Sequence, residues 1–245
     1  MGYYRLPLYI IFGVLPSLVW LFYYLRKDLH PEPKKMILKV FLYGVIITIP
    51  TFIIQIGLSE ILKQLQSFAF FQFSLITNVL KWFLIIAFTE ELLKYLVVRT
   101  VIFKSRELDE PLDIMLYMVV AALGFATVEN IFYLFSPVYN TFDEFIKTTI
   151  TISFVRFIGA TFLHTLCSSL LGYFLTLGHL RKNTIKLTVI GIFLATLLHG
   201  LYDFSIITLS QPMNFLIPII IILGLAVFII YDFDEVKIIK GICKI

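Results

Sequence analysis

Two adjacent glutamates, Glu90 and Glu91, lie in the middle of an apolar segment that begins at Trp82. Lys94 follows them, four residues after the first glutamate and three after the second, so all three side chains share one side of a helix. One glutamate can pair with the lysine while the other faces a cavity and takes a proton from water. The structural alternative is an ion pair that holds two helices together.

Three further polar groups interrupt later apolar segments: Glu129 with Asn130, His164, and His199 with Asp203. The spacing of His199 and Asp203 places them one helical turn apart, where the carboxylate can orient the imidazole. The alternatives are interhelical hydrogen bonds and histidines satisfied within the core. Together, these carboxyl and imidazole groups suit water activation, with one carboxylate as general base and a second group as proton donor. Peptide hydrolysis within the membrane is the natural reaction class.

The same residue types also suit divalent metal ligation or a proton relay in a transporter, and spacing alone does not separate these functions. A non-catalytic scaffold or immunity protein of the same fold is a further alternative. The sequence contains no H-E-x-x-H helix, glycine-rich phosphate loop or G-x-S-x-G elbow. Cys167 and Cys243 have neither a zinc-ligand spacing nor an evident disulfide partner. We therefore expect no cofactor, with metal ligation kept as an alternative. Arg156 and Tyr173 are weaker candidates for the same cavity.

The composition predicts a membrane protein that crosses the bilayer several times. Hydrophobic residues make up 60% of the chain and charged residues only 15%, and the mean hydropathy is +0.95. A soluble domain would carry about a quarter charged residues. The net charge of +4 comes from basic residues in short loops, so we expect no nucleic-acid partner. We expect one transmembrane domain over residues 1–245.

A spanning helix needs about 20 apolar residues, and the sequence predicts an all-α bundle of about seven spans. The predicted spans are 6–25, 37–58, 78–101, 112–135, 150–178, 186–209 and 213–231. The stretch 68–77 is predicted either to lie in the membrane interface or to extend the third span. The fifth span is long for one crossing, which indicates a tilted helix or one that begins outside the bilayer.

Charges in the loops predict the orientation, because cytoplasmic loops are rich in lysine and arginine. Basic clusters follow the first, third, fifth and seventh spans, whereas the intervening loops are poor in them. This alternation predicts an outside N-terminus and a cytoplasmic C-terminus. Counting inwards from each cytoplasmic boundary, the polar groups on four different helices lie at similar depths of roughly 15–25 Å. The shared depth predicts one common site in the middle and outer half of the bilayer.

The chain resembles the PrsW family of intramembrane proteases, within the wider group of CAAX prenyl-protease-like glutamate proteases. The resemblance runs over nearly the whole chain and rests on four motifs in order and on an N-terminal stretch. The matching residues are Glu90-Glu91-x-x-Lys94, Gly124-Phe125 through Glu129-Asn130, His164, His199-Gly200-x-x-Asp203, and Pro16 to Tyr24 followed by Asp28 and Glu32-Pro33. The prenyl-protease branch usually has a histidine where Glu129 stands, which favours the PrsW branch.

The resemblance implies a glutamate-type, metal-independent peptidase in which Glu90 or Glu91 activates water. Glu129, His164, His199 and Asp203 would complete the site, with Lys94 and Asn130 in support. It also implies a single-span membrane protein as substrate, of the anti-sigma-factor kind, cut on the extracytoplasmic side. The expected location is the plasma membrane of a prokaryote. The residues themselves do not decide which of the two adjacent glutamates is the base.

Overall fold

The structure is a computed structural model that describes residues 5–27, 30–66 and 74–238. Every regular element in these ranges is helical. The elements are α1 (Arg5–Leu25), α2 (Lys34–Leu65), α3 (Ser74–Val79), a π-helical segment (Leu80–Ala87), α4 (Phe88–Val101), α5 (Pro111–Phe135), α6 (Phe142–Ile158), α7 (Ala160–Leu180), α8 (Thr184–Thr208) and α9 (Met213–Ile238).

Within the described residues, six segments are long and apolar enough to cross a membrane, which confirms the all-α multi-pass prediction. They are α1, α2, α5, α6 with α7, α8 and α9. The predicted third span, 78–101, is not among these six segments. Its residues belong to a continuous helical run made of α3, the π-helical segment and α4. Of the ambiguous stretch 68–77, residues 68–73 lie outside the described residues, as do Asp28 and Cys243, and α3 begins at Ser74. The orientation of the termini stays a prediction.

Helix α5 is the centre of the bundle and packs against α1, α2 and α7. Its apolar residues are spread around the whole helix rather than along one stripe, a pattern typical of a helix buried on all sides. In agreement, 94% of its membrane-spanning window is buried. The helix begins with Pro111 and a reciprocal capping box between Glu110 and Asp113. Glu129 therefore projects from the most enclosed helix of the bundle.

Glycines let α2 approach α5 closely. A Cβ atom at Gly124 would collide with the carbonyl oxygen of Phe41, and one at Gly44 would collide with the carbonyl oxygen of Ala121. The two glycines also face each other, since the Cβ position of Gly124 lies 3.1 Å from the Cα of Gly44. Small residues at helix contacts allow this packing in membranes, where the lipid supplies no hydrophobic driving force.

The predicted fifth span is broken at Gly159 rather than continuous. The backbone there leaves the helical region, with φ −101° and ψ −99°, and separates α6 from α7. A break inside a membrane frees backbone groups that must find other partners. The indole Nε1 of Trp20 supplies one by donating to the carbonyl of Phe157 at 2.9 Å, and its ring stacks on Phe162 at 4.1 Å. This break sets the direction in which α7 presents its residues.

Gly44 and Gly57, both on α2, offer a matched test of the contact between α2 and α5. Gly44→Ala should lower the free energy of unfolding by about 1–3 kcal/mol, because the added methyl group overpacks the contact. Gly57→Ala, on the same helix, has nothing within 4 Å of the new atom and should leave stability unchanged or raised. Thermal unfolding of the purified variants in detergent measures both. Equal melting temperatures for the two variants would contradict the close contact.

Candidate active site

The paired glutamates are fully enclosed by the bundle. Glu90 is 1% exposed, Glu91 and Lys94 are 0% exposed, and all three lie in the first two turns of α4. The π-helical segment ends directly before this helix. π-helical turns change the rotation of the residues that follow and often occur at functional sites. Here the turn sets the rotation of both glutamates together. Glu91 makes the shorter contacts with Lys94 and His199, and Glu90 accepts from Gln55 on α2.

Lys94 lies at the centre of the polar cluster. Its Nζ donates to Glu91 Oε1 at 2.9 Å and lies 3.7 Å from Glu90 Oε2. It also lies 2.8 Å from Nδ1 of His164 on α7. Because an ammonium group can only donate, Nδ1 of this histidine accepts. Its Nε2 then carries the proton and donates to Glu129 Oε2 at 2.7 Å.

His199 on α8 lies between three carboxylates. Its Nδ1 is 2.9 Å from Glu91 Oε1, while its Nε2 is 3.4 Å from Asp203 Oδ2 and 3.9 Å from Glu90 Oε2. We expected Asp203, one turn away, to orient the imidazole. The structure brings the two residues together, but Glu91, which is distant in sequence, makes the shorter contact. Glu91 Oε1 thus ties α4 to α8 and, through Lys94, to α7.

Glu129 completes the cluster from α5. Its Oε2 accepts from Arg156 on α6 at 3.1 Å as well as from His164. The Arg156 guanidinium also donates from Nε to Asn130 Oδ1 at 2.5 Å and lies 4.0 Å from the ring centroid of Tyr133. Arg156, which the sequence marked only weakly, is therefore part of the site. Tyr173 is not, since its ring packs against Phe174 and Phe228.

Asn130 serves the helix packing rather than the cavity. Its Nδ2 donates to the carbonyl of Gly13 on α1 at 3.2 Å and to the hydroxyl of Thr161 on α7 at 3.1 Å. These bonds fit the supporting role expected from the sequence.

Gln55 on α2 is a site residue that the sequence analysis missed. Its Nε2 donates to Glu90 Oε1 at 3.1 Å, and its side chain is buried. It lies between Ile54 and Ile56, so an isolated polar residue in an apolar segment was again the available signal. Gln55 holds one oxygen of Glu90. The other, Oε2, is buried and has no hydrogen-bond partner among the described residues.

The cluster opens into a cavity of about 740 Å³ between α2, the π-helical segment, α4, α5, α6, α7 and α8. Its ionisable lining consists of Glu90, Glu129, Arg156, His164, His199 and Asp203. Glu91 and Lys94 lie behind this lining. Of the two adjacent glutamates, only Glu90 is therefore in the lining of this cavity.

Three cavity residues fit a divalent metal ion. Ligand atoms of Glu90, His164 and His199 lie within 4.8 Å of one another. Two imidazoles and one carboxylate are a donor set typical of catalytic zinc. The unpaired, buried Oε2 of Glu90 suits such a role. To act as a ligand, His164 would give up its contact with either Lys94 or Glu129.

Comparisons with known proteins identify related membrane proteases. The model of the PrsW family of intramembrane metalloproteases matches residues 32–231. A protein named Protease PrsW from Oceanobacillus iheyensis is 29% identical over 214 residues, which cover 86% of this chain and 88% of that protein. Protease PrsW from Bacillus subtilis is 28% identical with the same coverage, and that from Clostridioides difficile is 26% identical over 82% of this chain and 79% of the relative. No solved structure matches the chain.

The matched region contains α2 to α8 and every residue of the polar cluster. Because it covers well over half of the sequence, the chain belongs to the PrsW family of intramembrane proteases.

Proposed function

We propose that this protein is an endopeptidase that cuts a membrane-anchored protein with water activated by Glu90. The observation that carries the proposal is the position of Glu90 Oε2, a carboxylate oxygen in a cavity that it shares with two imidazoles. This oxygen is buried and accepts no hydrogen bond among the described residues, since Lys94 Nζ lies 3.7 Å away and His199 Nε2 lies 3.9 Å away. It is therefore left to accept a proton from a water molecule in the cavity.

In the proposed reaction, the water oxygen bonds to the peptide carbonyl carbon while Glu90 accepts the water proton. The carbon–nitrogen bond then breaks, and the proton passes to the leaving amine, so that one water molecule is consumed for each bond cut. His199, with Nε2 3.9 Å from Glu90 Oε2, is placed to stabilise the developing oxyanion and to help transfer this proton.

Glu91 has a different role in this proposal. Its Oε1 already contacts both Lys94 and His199 at 2.9 Å, and it does not line the cavity. We therefore assign it as a positioning residue that holds the ammonium and the imidazole in place. Under this proposal, Glu90 rather than Glu91 is the base.

The description of the family implies a metal ion, and Glu90, His164 and His199 are the residues that would hold it. A bound ion would polarise the water and the peptide carbonyl. The chain's own groups already provide a proton acceptor and cationic partners in a site shielded from solvent. We therefore propose the glutamate mechanism as sufficient.

The proposed substrate is a single-span membrane protein of the anti-sigma-factor kind. The relatives named above come from bacteria, which supports a prokaryotic plasma membrane as the location. A substrate that shares the bilayer can reach a cavity built between membrane-spanning helices without leaving the lipid.

Replacement of the proposed base tests the assignment. Glu90→Gln should lower the rate of cleavage of a tagged single-span anti-sigma-factor reporter by about 100-fold or more, because the amide cannot accept the proton. Glu60→Gln, at an exposed position of α2, is the control and should cleave at the wild-type rate. Immunoblots of reporter fragments in proteoliposomes measure both. Wild-type cleavage by Glu90→Gln would rule out this glutamate as the base.

The positioning role of Glu91 predicts a larger effect on stability. Glu91→Gln should lower the free energy of unfolding by about 3–5 kcal/mol, because it leaves the buried charge of Lys94 poorly compensated. Glu90→Gln should cost less, since Glu90 lies 3.7 Å from the ammonium group of Lys94, whereas Glu91 accepts from it at 2.9 Å. Thermal unfolding in detergent compares the two. The reverse order of stability would contradict the division of roles.

A chelator tests whether a metal ion is required. We expect reporter cleavage to persist after dialysis against a strong chelator, because the proton acceptor belongs to the protein. Metal content of the same sample, measured by mass spectrometry, shows whether the ion was removed. Loss of cleavage that returns with added Zn²⁺ would make Glu90, His164 and His199 ligands and would contradict the role of Glu90 as the base.

A further inference from the structure

An apolar groove of about 980 Å³ runs along the outside of the bundle, between the π-helical segment with α4 and helix α8. Leu84, Phe88 and Leu92 form one side, and Val189, Phe193 and Leu197 form the other. Each side is a row of residues four positions apart. Two such rows with a furrow between them are the surface into which a further helix packs.

The groove and the catalytic cavity share both of their walls. In the π-helical segment, Trp82 and Ile86 line the cavity, whereas Phe83 and Leu84 line the groove. Helix α8 also lines both, with Leu197 in the groove and His199 in the cavity. Only the thickness of these two helices separates an occupant of the groove from Glu90.

The two walls pack directly on each other beside the catalytic histidine. The ring of Phe83 lies 2.8 Å from the position of a Cβ at Gly200, the residue that follows His199, and the Cα of Phe83 lies 3.1 Å from the same position. The π-helical segment and α8 therefore meet here through backbone as well as side chain.

The groove has one polar side chain among its lining residues, that of Thr196. Its hydroxyl is buried and has no hydrogen-bond partner in the described part of the chain. Because this hydroxyl is buried, an occupant of the groove meets an almost wholly apolar surface, which matches the apolar outer surface of a transmembrane helix.

We propose that this groove binds the transmembrane helix of the protein substrate, so that the peptide beyond the helix end lies close to the cavity that contains Glu90. The inference rests on the proposed function and adds where the substrate docks. Binding would depend on close packing between the rows of side chains, because lipid and groove are equally apolar.

A second groove provides the control. It lies between α1 and α6, has a volume of about 550 Å³, and is lined by apolar residues that include Leu15, Val19 and Phe154. Its α1 wall contributes no residue to the catalytic cavity. Lipid would fill both grooves alike, whereas a substrate helix would select the first.

Photo-crosslinking of a trapped complex tests the proposal. A benzophenone amino acid is placed at Phe193 or Leu84 in the Glu90→Gln background, and at Phe154 or Leu15 as controls. Each variant is reconstituted with the tagged single-span anti-sigma-factor reporter that the wild type cleaves. We expect the Phe193 and Leu84 positions to give several-fold more adduct than the controls. Equal adducts in both grooves would overturn the proposal.

Blocking variants give a second readout with active enzyme. Leu197→Trp should raise KM for the reporter several-fold with little change in kcat, and Val19→Trp in the control groove should change neither. An unchanged KM for Leu197→Trp would overturn the docking site. If the wild type cleaves the reporter while these groove tests fail, only the docking site is wrong. If Glu90→Gln also cleaves, the proposed function itself fails.

Discussion

Lys94 places an ammonium group with no solvent exposure at the centre of the bundle, and the polar cluster is organised around its charge. A buried ion is tolerated only when partners replace the water it has lost. Glu91 supplies the closest carboxylate, Glu90 a second one at 3.7 Å, and His164 a nitrogen lone pair. The ring of Phe125 lies 4.7 Å from the same ammonium group. Each partner comes from a different position on α4, α5 or α7, so compensation of this charge also fixes how the helices are arranged.

This constraint explains why the cluster can be catalytic without being unstable. Glu91 and Lys94, joined at 2.9 Å, lie behind the cavity. Glu90, His164 and His199 face it, and Glu90 Oε2 accepts no hydrogen bond among the described residues. The close contact at Gly44 and Gly124 serves the same end, because it brings α2 near enough for Gln55 to hold the opposite oxygen of this carboxylate.

Much of the site could be predicted because a polar residue in an apolar helix is costly and therefore conspicuous. Glu90, Glu129, His164 and His199 were identified in this way, and the structure brings them together. Helical spacing was a poorer guide to partners. It favoured Asp203 as the partner of His199, whereas the shorter contact comes from Glu91 on another helix, a pairing that depends on helix rotation. The π-helical segment, which sets that rotation, has no sequence signature here.

The broken helix shows a second limit of the sequence. Residues 150–178 form one apolar stretch, and Gly159 alone gives little sign of a break, because glycine is common in membrane helices. The break is supported by contacts made far away in sequence, with Trp20 bonded to the carbonyl of Phe157. Arg156, one turn before the break, reaches Glu129 only because α6 ends there. The sequence alone indicates Arg156 only weakly as a site residue, because its contact with Glu129 depends on tertiary packing.

The central claim is that Glu90 delivers a water molecule to the peptide bond rather than attacking the bond itself. A single turnover of the reporter in ¹⁸O-labelled water, followed by mass spectrometry of both products and of the enzyme, tests this most directly. The account predicts one ¹⁸O atom in the new carboxyl terminus of the product and none in Glu90. An unlabelled product together with ¹⁸O in the Glu90 carboxylate would mean a covalent acyl-enzyme and would contradict the account.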